Sequence, residues 1–211
     1  WSVKDYAGSR TSWEALRQGV DGDVEANLAL ANLYERASRS ENERSEVLLE
    51  ASNQRIREVL DSERTTLAQR AEALALEGRN LKTLWRARLK GASDPHAARR
   101  AALDARALKS YESYRQAFEL DLNAFYPGLA ALQMGCILQL LAQLPGWRNL
   151  FRGSKVQADR AREDLEAELP ALAHVVAASI KRARQQLPED ERLWPDIADA
   201  DLLFLTVPDE E

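Results

Sequence analysis

Side chains able to do covalent or metal chemistry are scarce in this 211-residue chain, which has two histidines, His96 and His174, and one cysteine, Cys136. Each histidine stands alone, and a zinc site needs three or four clustered ligands, so no metal is expected. Cys136 lies between Gly135 and Ile137 in the most apolar stretch, where a thiol behaves as a small hydrophobe. Asp199 and Asp201 are two residues apart, a spacing that turns carboxylates to different sides of a helix and argues for solvated charge over a cation site. The helical zinc-protease motif, the Gly-Lys phosphate loop, the nucleophile elbow and the Cys-x-x-Cys pair are all missing. The residues point to a protein that is not an enzyme and carries no cofactor.

Charge is the more informative chemistry. The chain carries a net charge of −5, yet ten Arg or Lys face three acids between Arg79 and Arg115, and the tail from Glu189 to Glu211 holds nine acids against Arg192. Two readings stand side by side. Either these charges are solvated faces and complements across packed helices, or the basic segment forms a groove for an acidic peptide, a nucleotide or nucleic acid. Arg86, Arg99, Arg106 and Lys109 are the candidates for charge recognition, with Trp85 beside Arg86 as a packing or stacking surface. The acidic total argues against a nucleic-acid partner. Trp147 and Phe151, in a Pro- and Gly-containing loop, are candidates for an exposed hydrophobic contact with a protein or peptide partner.

These residues need a scaffold, and the composition points to an all-α one. Ala, Leu, Arg and Glu dominate, Gly and Pro number only nine and seven, and runs of β-branched residues are lacking. Start and stop signals predict helices near 12–19, 24–38, 95–120, 127–144, 156–168, 170–186 and 195–206, with two more inside 41–89 broken near Asp61-Ser62 or Gly78. Ser40-x-x-Glu43 reads as a capping box, and Asp94-Pro95 as a cap followed by proline in the first turn. Tyr126-Pro127, Leu169-Pro170, Leu187-Pro188 and Trp194-Pro195 read as boundaries. The run from Leu129 to Leu144 is interrupted by glutamines and too short to span a bilayer, so it is read as a core helix and no membrane is expected. A lone cysteine fits a cytoplasmic protein. Residues 1–211 read as one helical domain with a sub-unit edge near 144–153, and the start at Trp1, without an initiator Met, suggests a portion of a longer protein.

Helical repeats supply the scaffold. Asn27, Leu30, Ala31 and Tyr34 stand at the first-helix signature positions of a tetratricopeptide repeat, with Asn27 in the aromatic place. Ser110, Tyr114 and Ala117 match the second-helix signature, with Leu122 where a proline is usual. Together with 70–82, with Phe125 to Leu129 and with the helix led by Trp194, this resembles the TRAFs-binding domain of apoptosis-signal-regulating MAP kinase kinase kinases and of bacterial tetratricopeptide proteins. The resemblance covers 65–205. It implies stacked antiparallel helical hairpins, a tetratricopeptide-like α-solenoid, acting as a signalling scaffold that recruits a protein partner or regulates an attached effector. The alternatives are a sensor that binds a small anionic, nucleotide-like ligand through 79–115, and a purely self-associating helical domain.

Overall fold

A computed structural model describes residues 6–20, 23–39 and 45–206, and in them nine α-helices and no strand. In chain order they are α1 (Tyr6–Gly19), α2 (Val24–Ser38), α3 (Ser45–Asp61), α4 (Leu67–Lys90), α5 (Pro95–Ala102), α6 (Ala105–Leu120), α7 (Phe125–Ala142), α8 (Lys155–Gln186) and α9 (Leu193–Thr206). Each long helix packs on the next, α4 passing over the short α5 to α6, with further contacts from α2 to α4 and from α7 to α9. This is the stacking of an α-solenoid. Leu28, Ala31, Ile56, Val59 and Leu76 form one core among α2, α3 and α4, while a second runs from Trp85 through α6 and α7 to Leu202.

The caps that the sequence offers are used. Asp94 Oδ1 accepts from the Ala97 amide at 2.8 Å, with Pro95 next to it, and Thr66 with Gln69 forms a reciprocal capping box at the start of α4. The Ser40-x-x-Glu43 box lies outside the described residues. The break in 41–89 falls after Asp61 and not at Gly78, which sits inside α4.

Four expectations about helix bounds are corrected. The helix expected over 95–120 is divided, because Asp104 takes the Arg106 amide at 2.9 Å and caps a new helix. Leu169-Pro170 does not end a helix, since α8 runs through Pro170. Pro170 and Glu166, whose carbonyl loses the amide partner that proline cannot supply, are both exposed residues. Pro127 and Pro195 each lie in a first turn, where the missing amide hydrogen costs nothing.

The repeat signature positions do the packing work that their sizes suggest. Ser110 donates to the Gly78 carbonyl at 2.8 Å, and Ser110, Tyr114 and Ala117 are all fully buried between α4 and α7. A Cβ on Gly78 would stand 2.8 Å from Cγ of Tyr114, and one on Gly128 would stand 2.9 Å from the Phe118 ring. Large rings on α6 therefore fill spaces that only glycine leaves open on α4 and α7. In the turn after α6, where Leu122 stands in place of the usual proline, Asp121 Oδ1 accepts from the Asn123 amide at 3.0 Å and Leu122 is exposed. Helix α7 is apolar and long enough to cross a membrane, but 56% of it is buried in the protein against α6 and α8, as a core helix would be.

Candidate functional site

On α4, Arg79, Lys82, Arg86 and Lys90 follow one another at intervals of three, four and four residues, and so form a single stripe. The stripe faces the end of α2, where Ser38 and Arg39 complete a groove of about 560 Å³ with Tyr126 at one side. Its foundation is Glu35, a carboxylate with 0% exposure. Glu35 Oε1 meets Arg39 Nη2 at 2.5 Å and its Oε2 lies 3.1 Å from Arg79 Nη2 as an ion pair, so one buried anion faces two arginines from different parts of the chain. Arg79 is held further by Asn32 Oδ1 at 3.0 Å, while its buried Nε has no partner among the described residues.

Lys82 has no such counter-charge among the described residues. Burial pushes its ammonium pKa down from the usual lysine value, and Arg86, Arg39 and Arg79 push it the same way. Its Nζ lies 5.2 Å from the centroid of the Tyr114 ring, whose π face offers partial compensation. Among the described residues no carboxylate lies within ion-pair reach of Lys82, Arg86 or Lys90. Among the described residues the groove thus sets five cations against one carboxylate. Such a surface attracts an anion with several charged oxygens, because the arginine forks and the ammonium can be shared among them.

Of the seven side chains singled out in the sequence, Arg86 alone lines this groove. Trp85 is buried, and its indole N–H donates to the Ala102 carbonyl at 3.1 Å, so it ties α4 to α5 and offers no stacking platform. Arg99 lies with His96 and Arg100 in a separate groove beside Pro145. Arg106 and Arg88 share Asp104 at 3.0 and 2.8 Å, the kind of intramolecular complement expected of the first of the two charge readings. Lys109 is exposed on α6, away from the groove.

Trp147 and Phe151 correct the expectation of an exposed contact. The segment at 144–153 holds a 3₁₀ turn, Trp147–Phe151, in which Trp147 is buried and donates to the Ala158 carbonyl at 3.0 Å. Phe151 meets it edge to face at 5.3 Å. Both belong to the core that continues from α7 into α8. Cys136 is half-buried there, and burial raises its thiol pKa.

Glu35, Arg39 and Tyr126 were missed as site residues. The signal for the stripe was present, since applying the helical period to the basic residues separates Arg79, Lys82, Arg86 and Lys90 from Arg88. Nothing in the sequence brings Arg39 to them across the fold.

A family model described as Tetratricopeptide Repeats-Sensor (TPR-S) matches residues 5–135, more than half of the chain. The chain belongs to the TPR-S family. No curated protein and no solved structure matches it. The TPR-S match takes in every residue of the basic groove and ends inside α7, so α8 and α9 lie beyond it. As a tetratricopeptide-type protein it is a sensor or protein-interaction module.

Proposed function

We propose that the protein is a non-catalytic sensor whose basic groove binds a small, multiply charged anion and reports it to an attached effector. The observation that carries this reading is Lys82, part-buried among Arg39, Arg79 and Arg86, with no carboxylate among the described residues to neutralise it. A fold tolerates such a cluster at a cost in stability, and a bound anion removes that cost. The resemblance to the TRAFs-binding domain supports an effector elsewhere in the intact protein, and a lone cysteine supports a cytoplasmic setting. Recruitment of a protein partner is the second reading, favoured by Leu193, Leu203 and Phe204, which leave an apolar side of α9 exposed.

The test uses tripolyphosphate at fixed ionic strength, read as a shift in Tm. Saturation near a hundred times Kd stabilises a folded protein by about 2.7 kcal/mol, which for a chain of this size is roughly 5–10 °C. Lys82→Met is expected to raise the Tm of the ligand-free protein by a few degrees and to lose most of the response. Because the folded state binds the Lys82 proton less tightly than the unfolded chain, the penalty is present at neutral pH. It fades as pH rises through the lowered pKa towards 10.5, so the advantage of Lys82→Met shrinks over that window. No shift in the wild type, or an equal shift in Lys82→Met, would overturn the groove as the anion site.

A further inference from the structure

Beside the basic groove lies a second cavity of about 370 Å³, between α7 and α9, and the two share Lys82 and Tyr126 as lining residues. The second cavity is of opposite character. Phe125, Tyr126 and Leu129 form one wall, and Trp194 and Ile197 the other. Trp194 is 71% exposed and Tyr126 51% exposed, although both are rings that a helical protein ordinarily covers. Polar groups are few here: Lys82 at the junction, Gln133 on α7 and Asp201 on α9.

Asp201 gives the cavity a direction. Asp196 and Asp199 on the same helix are engaged by Arg184 at 2.8 and 2.6 Å, whereas Asp201 has no cationic partner among the described residues. An unpaired carboxylate repels phosphate and accepts hydrogen bonds from N–H groups. A ligand that fills both cavities must therefore place its anionic end among Arg79, Lys82 and Arg86 and a flat, N–H-bearing ring between Tyr126 and Trp194.

We propose that the α7–α9 cleft is the base-binding half of a composite site and that the ligand is a nucleoside polyphosphate, its phosphates in the basic groove. This rests on the anion-binding reading above and adds the class of ligand. It also assigns a role to α9, which the family match does not reach: Trp194 and Asp201 complete the site. At about 370 Å³ the cleft has room for a base, and stacking on aromatic side chains holds any base by its π face.

The experiment is calorimetric titration of the full chain with ATP, GTP and tripolyphosphate at matched ionic strength, with tryptophan fluorescence recorded in parallel. The nucleotides are expected to bind about tenfold or more tightly than tripolyphosphate, as stacking of one base provides. They should change the fluorescence of the wild type, whereas tripolyphosphate should not. Trp194→Ala removes a largely exposed side chain, so the fold should be kept; it should reduce nucleotide affinity to that of tripolyphosphate and leave tripolyphosphate unchanged. Equal affinities for all three in the wild type, or equal weakening of all three by Trp194→Ala, would overturn the base-binding cleft while leaving the groove standing. Failure of all three to bind would remove the groove reading as well.

Discussion

Glu35→Ala lowers the stability of the fold by about 3–5 kcal/mol, the cost of removing one member of a buried ion pair, and Tm falls by roughly 10 °C or more. Glu35 has 0% exposure and joins Arg39 on its own helix to Arg79 on α4. Its removal leaves the Arg79 guanidinium in a site where burial already lowers its pKa, with Lys82 and Arg39 close by and nothing to balance them. The loss measures that orphaned charge and not the net worth of the pair, since a buried pair replaced as a whole by apolar groups is often neutral. Glu35→Gln, which keeps one acceptor oxygen for either Arg39 or Arg79 and turns an NH2 to the other, should lose less than Glu35→Ala. Urea denaturation checks both, and a loss below about 1 kcal/mol for Glu35→Ala would mean that Glu35 is not the anchor of the groove.

Tyr114→Ala should destabilise by about 3–5 kcal/mol, the range for truncating a fully buried aromatic ring. The ring is completely buried, lies where a Cβ on Gly78 would intrude, and meets Tyr126 edge to face at 6.3 Å. Two losses coincide. A cavity opens between α4 and α6, and Lys82 loses the ring face that lies 5.2 Å below its ammonium. Tyr114→Phe preserves both features and should stay close to wild type. If the alanine and phenylalanine variants have the same midpoint in urea at unchanged m-value, the ring does not hold the two helices together.

Much of the fold was legible because helices carry their instructions locally. Asp94-Pro95, the break after Asp61 and the Ser110–Tyr114–Ala117 spacing each depend on a few neighbouring residues, and each appears in the structure as the sequence suggests. The boundaries that failed depended on tertiary context. Pro170 is tolerated inside α8 because it is exposed, and the break at Asp104 was hidden in a run of good helix formers.

The site was less legible, for a reason visible in Trp85 and Trp147. A tryptophan beside arginines, or in a loop, reads as a recognition surface, yet both indoles are buried with their N–H groups satisfied by backbone carbonyls. The basic segment was recognised by its excess charge, but a total cannot say which charges share a face. Arg99, Arg106 and Lys109 lie apart from Arg86 once the chain folds, whereas Arg39, forty residues upstream of Arg79, joins it.

The most direct test of the groove as an anion sensor is to titrate ¹⁵N-labelled protein with tripolyphosphate and map the amide and arginine side-chain shifts. The groove predicts saturable changes confined to Ser38, Arg39, the Arg79–Lys90 stripe and Tyr126. Changes centred on His96, Arg99 and Arg100, or no saturable change at all, would contradict it.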